Sequence, residues 1–191
     1  RSTFDAVKIP LPELQFFIGL GGFSVDGREY ITVLNKGQNT PAPWVNVVAN
    51  ANFGFLISES GGGYTFARNS RENQLTPWSN DTVSDPAGEI LYLRDEDNGW
   101  IWTPTARPIR LADSSYVAHH GQGYSSFRSG AYGIASELEL FVSWNDPVKV
   151  SRLRLTNHTS VTRKASATAY VEGVRGTVRG TNSPFIVTQR D

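Results

Sequence analysis

The feature that most constrains the fold is an alternation with a period of two. Over residues 134–142, Ile134, Leu138, Leu140 and Val142 fall on one side, while Glu137 and Glu139 fall on the other. Successive strand side chains point to opposite faces, so this pattern describes a strand with one buried and one wet face. It continues in residues 149–155, where Leu153 and Leu155 alternate with Arg152 and Arg154. No window of helical length carries an apolar repeat of 3.6 residues. The expected architecture is therefore all-β: an antiparallel β-sandwich.

Other strand candidates are residues 29–34, 45–50, 53–58, 64–67, 90–94, 100–103, 124–128 and 164–171. Turn formers punctuate them. Asn50-Ala51-Asn52 separates the second and third candidates, and the triplet Gly61-Gly62-Gly63 precedes the fourth. Asn98-Gly99 between two β-rich runs predicts a hairpin, since both positions tolerate positive φ. Ser129-Gly130 is read as a further turn. Residues 1–22, with Pro10 and Pro12 and the glycines Gly19, Gly21 and Gly22, read as a lead-in with a flexible joint. Residues 23–191 form one sandwich domain. Residues 172–191 hold Gly173, Gly176, Gly180 and Pro184 and no obvious strand pair, so the sandwich is expected to be truncated at its C-terminal side. The chain also contains no methionine, and it reads as a piece of a longer protein.

Composition excludes several classes. Eighteen basic and eighteen acidic residues balance, which argues against a nucleic-acid partner. The nearest approach to a basic stripe is Arg152, Arg154, Arg163, Lys164, Arg175 and Arg179, interleaved with acidic and apolar residues. Without cysteine there is neither a disulfide nor a thiolate metal site. Apolar runs are far shorter than the roughly 20 residues of a spanning helix, so no direct membrane contact is expected. Asp95-Glu96-Asp97 fails the spacing of a calcium loop, since Gly99 sits one position early. His119 and His120 are adjacent in a strand and point to opposite faces, so they do not chelate one metal; a buried, hydrogen-bonded role is expected. No Gly-x-Ser-x-Gly elbow accompanies them. Neither a metal nor a cofactor is expected.

The long polar loop over residues 68–89 is where ligand chemistry concentrates. Arg68, Asn69, Arg71, Glu72, Asn73, Gln74, Trp78, Asn80 and Asp81 are the candidate substrate-binding residues. Planar amides, guanidinium groups and carboxylates pair with neighbouring sugar hydroxyls, and an indole stacks on the apolar face of a pyranose. The competing reading is a surface loop whose Asn, Ser and Asp side chains satisfy their own turns. Glycoside hydrolysis would need two carboxyl groups about 5–10 Å apart. Glu72, Asp81, Asp85 and Glu89 are available, but spacing alone brings no two of them together. Of the five tryptophans, Trp100 and Trp102 read as core, and Trp78 is the preferred ligand contact.

Four stretches carry a resemblance to a known family. They are residues 21–30 (GGFSVDGREY), 40–47 (TPAPWVNV), 69–81 (NSRENQLTPWSND) followed by Ser84-Asp85-Pro86, and 120–124 (HGQGY) followed by Asp146-Pro147-Val148-Lys149. In this order they resemble the N-terminal domain of glycoside hydrolase family 94, formerly glycosyltransferase family 36. The third stretch is most similar to the cyclic β-1,2-glucan synthase and β-1,2-oligoglucan phosphorylase branch.

The resemblance implies a supersandwich of the galactose-mutarotase-like kind, followed by a helical barrel that carries the general acid of an inverting phosphorolysis. It implies no cofactor, a β-glucan oligosaccharide as ligand, a homodimer, and a cytoplasmic setting, including that of a cytoplasmic module of a bacterial inner-membrane protein. The barrel aspartate is not among these 191 residues, so no catalytic residue is assigned. The expected role is a non-catalytic, carbohydrate-binding and dimer-forming part of a phosphorylase-like module. The alternative is an autonomous carbohydrate-binding module.

Overall fold

The computed structural model describes residues 4, 7–174, 176, 177, 183–185, 187 and 189. Thirteen strands are found among them, and every pairing is antiparallel. They are β1 (Leu14–Gln15), β2 (Gly21–Ser24), β3 (Glu29–Leu34), β4 (Val45–Ala49), β5 (Phe53–Ser58), β6 (Gly63–Ala67) and β7 (Glu89–Asp95). The rest are β8 (Ile101–Trp102), β9 (Tyr116–Gly121), β10 (Tyr124–Ala131), β11 (Ile134–Val142), β12 (Lys149–Asn157) and β13 (Ala165–Val171). One layer is a seven-stranded sheet in the order β1-β2-β3-β9-β10-β11-β12. The other is split into β4-β5-β6 and β13-β7-β8.

The period-two alternation sets the layering. In β11 the register places Leu138 beside Phe127 of β10 and Leu153 of β12, all on one face. Phe127, Leu138 and Leu140 pack there with Ala118 of β9 against Val48 of β4 and Phe55 and Ile57 of β5. Along the same face Ile134 and Ala131 meet Leu93 of β7 and Trp102 of β8. Each small sheet thus covers one part of the large one. On the opposite face Glu137 pairs with Arg128 and Arg154, and Glu139 with Arg152. Arg163, from the supposed basic stripe, pairs with the fully buried Asp95. Arg175, Arg179 and Gly180 lie outside the described residues.

Residues 172–174 and 176 stitch the two small sheets together. The Glu172 amide donates to Gly88 O, the Val174 amide to Leu75 O, and Gln74 bridges both Phe66 and Gly176. The predicted hairpin between β7 and β8 is present. Asp95 Oδ1 accepts the amides of Asp97 and Asn98, and Gly99 has φ +70°. The acidic triplet is therefore a turn.

Two readings of the sequence need correction. The turn after β10 is not Ser129-Gly130 but Tyr132-Gly133, with φ of 51° and 79° and Ala131 paired to Ile134. Gly130 is a strand residue, and a side chain there would lie 2.7 Å from the Val7 carbonyl oxygen. The lead-in is not a loose joint either. Residues 14–15 pair with 23–24, and Ile9 and Leu14 pack on Ile31, Val33 and Val117. Gly21 and Gly22 sit inside β2, where a Cβ would lie 2.7 Å from Ile31 O and 2.6 Å from Gln15 O. Close backbone approach, not flexibility, explains both glycines.

Candidate functional site

The residues of the 68–88 loop divide into those spent on structure and those left at the surface. Asn69 Oδ1 accepts the amides of Arg71 and Glu72, and Asp81 Oδ1 accepts those of Val83 and Ser84. Asp81 Oδ2 also takes the Ser84 hydroxyl at 2.5 Å. Hydrogen bonds from Ser84 and the turn amides hold the Asp81 carboxyl below its ordinary range. Gln74 is buried in its double bridge. Arg68, Arg71, Glu72, Asn73 and Asn80 are exposed, and Arg71 and Glu72 pair with each other at 3.4 Å. Arg68 and Asn80 take positive φ, 61° and 49°, which fixes sharp bends at either end of the loop. Trp78 is half-buried, its ring 5.3 Å from that of Tyr64. Trp102 is 1% exposed and belongs to the core, whereas Trp144 is 89% exposed. Trp144 is thus the aromatic most available to a ligand, and its position in the irregular Ser143–Val148 connection hid it in the sequence.

Besides the Asp95–Arg163 pair, three polar clusters stand out among the described residues, and each joins stretches far apart in sequence; the acid of the first lies on the outer face of the large sheet. In the first, Glu29 of β3 holds His119 Nδ1 at 2.8 Å and accepts the Tyr124 hydroxyl. Burial opposes the Glu29 charge, but the hydrogen bonds from Tyr124 and His119 outweigh it and lower the pKa. Beside it, Asn46 Nδ2 donates to Gly121 O, Tyr124 O and Ser125 Oγ at 2.9–3.0 Å, which pins β4 to the β9–β10 turn. His120 Nδ1 contacts Ser125 Oγ at 2.9 Å, and burial pushes the His120 imidazole down to about 4. His119 is therefore buried and His120 half-buried, and both are hydrogen-bonded through Nδ1, on opposite faces. Their Nε2 atoms have no partner among the described residues.

In the second cluster, Lys149 Nζ meets Glu89 Oε2 at 2.5 Å and lies 4.4 Å from the centre of the Phe55 ring. Glu89 Oε1 accepts the hydroxyls of Thr65 and Thr76 at 2.5 and 2.7 Å. Burial works against the Glu89 charge, yet Lys149 and these donors keep the carboxyl below its usual range.

The third cluster lines a cavity of about 270 Å³. Asp85, 4% exposed, accepts Ser58 Oγ at 2.5 Å and Ser60 Oγ at 2.6 Å through Oδ2. Gly62 makes room for it, since a Cβ there would lie 2.1 Å from Asp85 Oδ1. Glu59, 3% exposed, accepts the Thr40 hydroxyl and, at 2.7 Å, the Trp44 amide. Burial raises the Glu59 pKa, and the charge of Asp85 adds to that rise. The Arg107 guanidinium donates to the carbonyls of Val83 and Ser84 and closes one wall. Sequence reasoning passed over Glu59, Ser60 and Arg107. The signal available was the Gly triplet directly after Ser58-Glu59-Ser60, which shows that another group comes close there.

Among the described residues no three His, Asp or Glu side chains converge as a metal site, and no helix is long and apolar enough to cross a membrane. Comparison with known proteins places the chain. Residues 28–191 match the family model described as glycosyl hydrolase 94, supersandwich domain. The chain is 39% identical over 186 residues to the cyclic beta-(1,2)-glucan synthase NdvB of Rhizobium meliloti (strain 1021), which covers 97% of this chain and 7% of that protein. It is 33% identical over 154 residues to the N,N'-diacetylchitobiose phosphorylase of Vibrio furnissii, covering 80% of this chain and 19% of that one. With the solabiose phosphorylase of Paenibacillus borealis it shares 27% over 156 residues, 81% of this chain and 20% of that one. The chain thus spans a fifth or less of these relatives. The motif stretches contribute to each cluster, through Glu29, Asn46 and Tyr124, through Thr76 and Lys149, and through Thr40, Trp44 and Asp85, and the match over residues 28–191 makes this chain a member of glycosyl hydrolase family 94, carrying its supersandwich domain.

Proposed function

We propose that the chain is a non-catalytic part of a phosphorylase-like module acting on β-1,2-glucan, that it binds the glucan, and that it contributes to a homodimer. The observation that carries this reading is the 39% identity to a cyclic β-1,2-glucan synthase over 97% of the chain. An N,N'-diacetylchitobiose phosphorylase and a solabiose phosphorylase share much of the same stretch, which supports a part common to enzymes named for different sugars. The loop carboxylates favour the same view. Asp81 uses both oxygens on its own turn, Glu72 sits exposed beside Arg71, and Glu89 is held by Lys149. A general acid needs a raised pKa and access to the glycosidic oxygen, and none of these three offers both.

The test is an assay of glucose 1-phosphate release. The chain with β-1,2-glucan and inorganic phosphate should release none, whereas Trp144→Ala in the full-length enzyme should lower kcat/KM by raising KM. Phosphorolysis by the chain itself would overturn the reading. The alternative, an autonomous carbohydrate-binding module, is favoured by the exposure of Trp144. It predicts that the chain alone binds the glucan as tightly as the whole enzyme does.

A further inference from the structure

The cavity framed by Thr40, Glu59, Ser60, Thr82, Asp85 and Arg107 takes Thr82, Val83 and Asp85 from the far end of the long polar loop but none of the nine candidate substrate-binding residues named from the sequence. Three loops and the Arg107 side chain meet there. Its volume of about 270 Å³ lies just below the usual range of small-molecule sites, about 300–1,000 Å³. That is room for one ring, not for a chain.

Its chemistry is uneven in a way that selects the ligand. Two carboxylates are almost fully withdrawn from water, and burying a carboxylate is costly unless it is hydrogen-bonded. Glu59 has one donor on each oxygen. Asp85 receives the Ser58 and Ser60 hydroxyls on Oδ2, while its Oδ1 packs beside Gly62 and is not among the buried side-chain atoms left without a partner. A carboxylate has about four acceptor sites, so Asp85, 4% exposed and on the wall of the cavity, keeps capacity for a donor from outside. An anion is disfavoured by the two carboxylates. A metal ion is disfavoured because fewer than three metal-binding side chains converge among the described residues. Pro41, Pro43 and Val83 supply apolar wall between the polar groups. An uncharged ring with hydroxyl donors and an apolar face matches this lining, and hydrogen bonds from hydroxyls to carboxylates are strong ones.

We propose that this cavity is a binding site for a single uncharged pyranose unit, such as a terminal glucose of a β-linked glucan, with Asp85 and Glu59 accepting from its hydroxyl groups. The inference rests on the carbohydrate-binding reading above and names its site.

Two exposed rim positions allow the cavity to be filled without touching the buried network: Asn39 and Thr82. The test is calorimetric titration of the full chain with β-1,2-linked glucotriose, comparing wild type with Thr82→Trp, Asn39→Trp and Trp78→Ala. Each variant is first checked for an unchanged thermal transition. The proposal expects at least a tenfold loss of affinity in whichever rim variants are folded, and near-normal affinity in Trp78→Ala. Normal affinity in a folded rim variant overturns the cavity while leaving the carbohydrate reading intact. Loss confined to Trp78→Ala does the same and returns the site to the 68–81 loop. No binding by the wild type overturns both.

Discussion

Removing the cation from the Glu89–Lys149 pair is the sharpest test of how the layers are held together. Lys149 begins β12, Glu89 begins β7, and Thr65 and Thr76 bring in β6 and its following loop. Lys149→Met keeps the aliphatic stem over the Phe55 ring and deletes only the charge. The two side chains are 15% and 21% exposed, so the carboxylate left behind is poorly solvated. Breaking a buried pair from one side costs about 3–5 kcal/mol. Partial exposure puts this case at the low end, about 3 kcal/mol at pH 7.

The pH dependence fixes the cause. In the wild type the folded pKa of Glu89 is lowered, so its stabilisation is present above the unfolded value near 4.5 and is lost as pH falls through the folded pKa. In Lys149→Met burial dominates and the folded pKa rises above 4.5. The carboxylate then destabilises the fold at neutral pH, and protonation relieves it. The gap in stability between the two proteins should be widest near pH 7 and close towards pH 4. Urea unfolding followed by tryptophan fluorescence reads it, and Glu89→Gln in the same background should recover part of the loss. A gap below about 1 kcal/mol, or one that does not change between pH 7 and 4, would refute the reasoning.

Three further outcomes are expected. Gly62→Ala should cost at least about 2 kcal/mol, because its Cβ would sit 2.1 Å from Asp85 Oδ1; adding Asp85→Ala should cost less than the sum of the two changes, and strict additivity would show that no clash exists. His120, with a folded pKa of about 4 against 6.5 unfolded, stays neutral while the unfolded chain takes up a proton, so its contribution to stability falls by up to about 3 kcal/mol between pH 6.5 and 4. An NMR titration of the His120 ring should show no midpoint above pH 5, and a midpoint near 6.5 would contradict its burial. Trp144→Ala should leave stability within about 0.5 kcal/mol, since the ring is 89% exposed; a larger loss in thermal unfolding would mean that it packs against something.

Much of the fold was legible because its strands alternate cleanly. β11 and β12 show the period directly, and Asn98-Gly99 marks the β7–β8 hairpin. What misled was glycine. Gly21, Gly22 and Gly130 read as joints or turns, yet each lies in a strand where another backbone passes too close for a side chain. Their reason is a tertiary contact, invisible to local pattern. Side-chain type was a weak guide to the candidate site. Asn69 and Asp81 look like ligand groups by type but close their own turns. Glu59, Asp85 and Arg107 are spread over 49 positions of the chain and meet only after folding. The stretches that carried the family resemblance mark buried polar junctions such as Asn46 on Gly121 and Glu29 on Tyr124. They report the fold more than the ligand.

The central claim, that this supersandwich binds β-1,2-glucan without performing the chemistry, is tested most directly by an amide-resolved NMR titration of the chain with β-1,2-linked glucooligosaccharides, with β-1,4-linked ones as control. Saturable shifts for the β-1,2 series, confined to the 39–43, 58–62, 68–88 and 143–148 segments and the Arg107 region, are the predicted result. No shift with either series, or equal shifts with both, would contradict it.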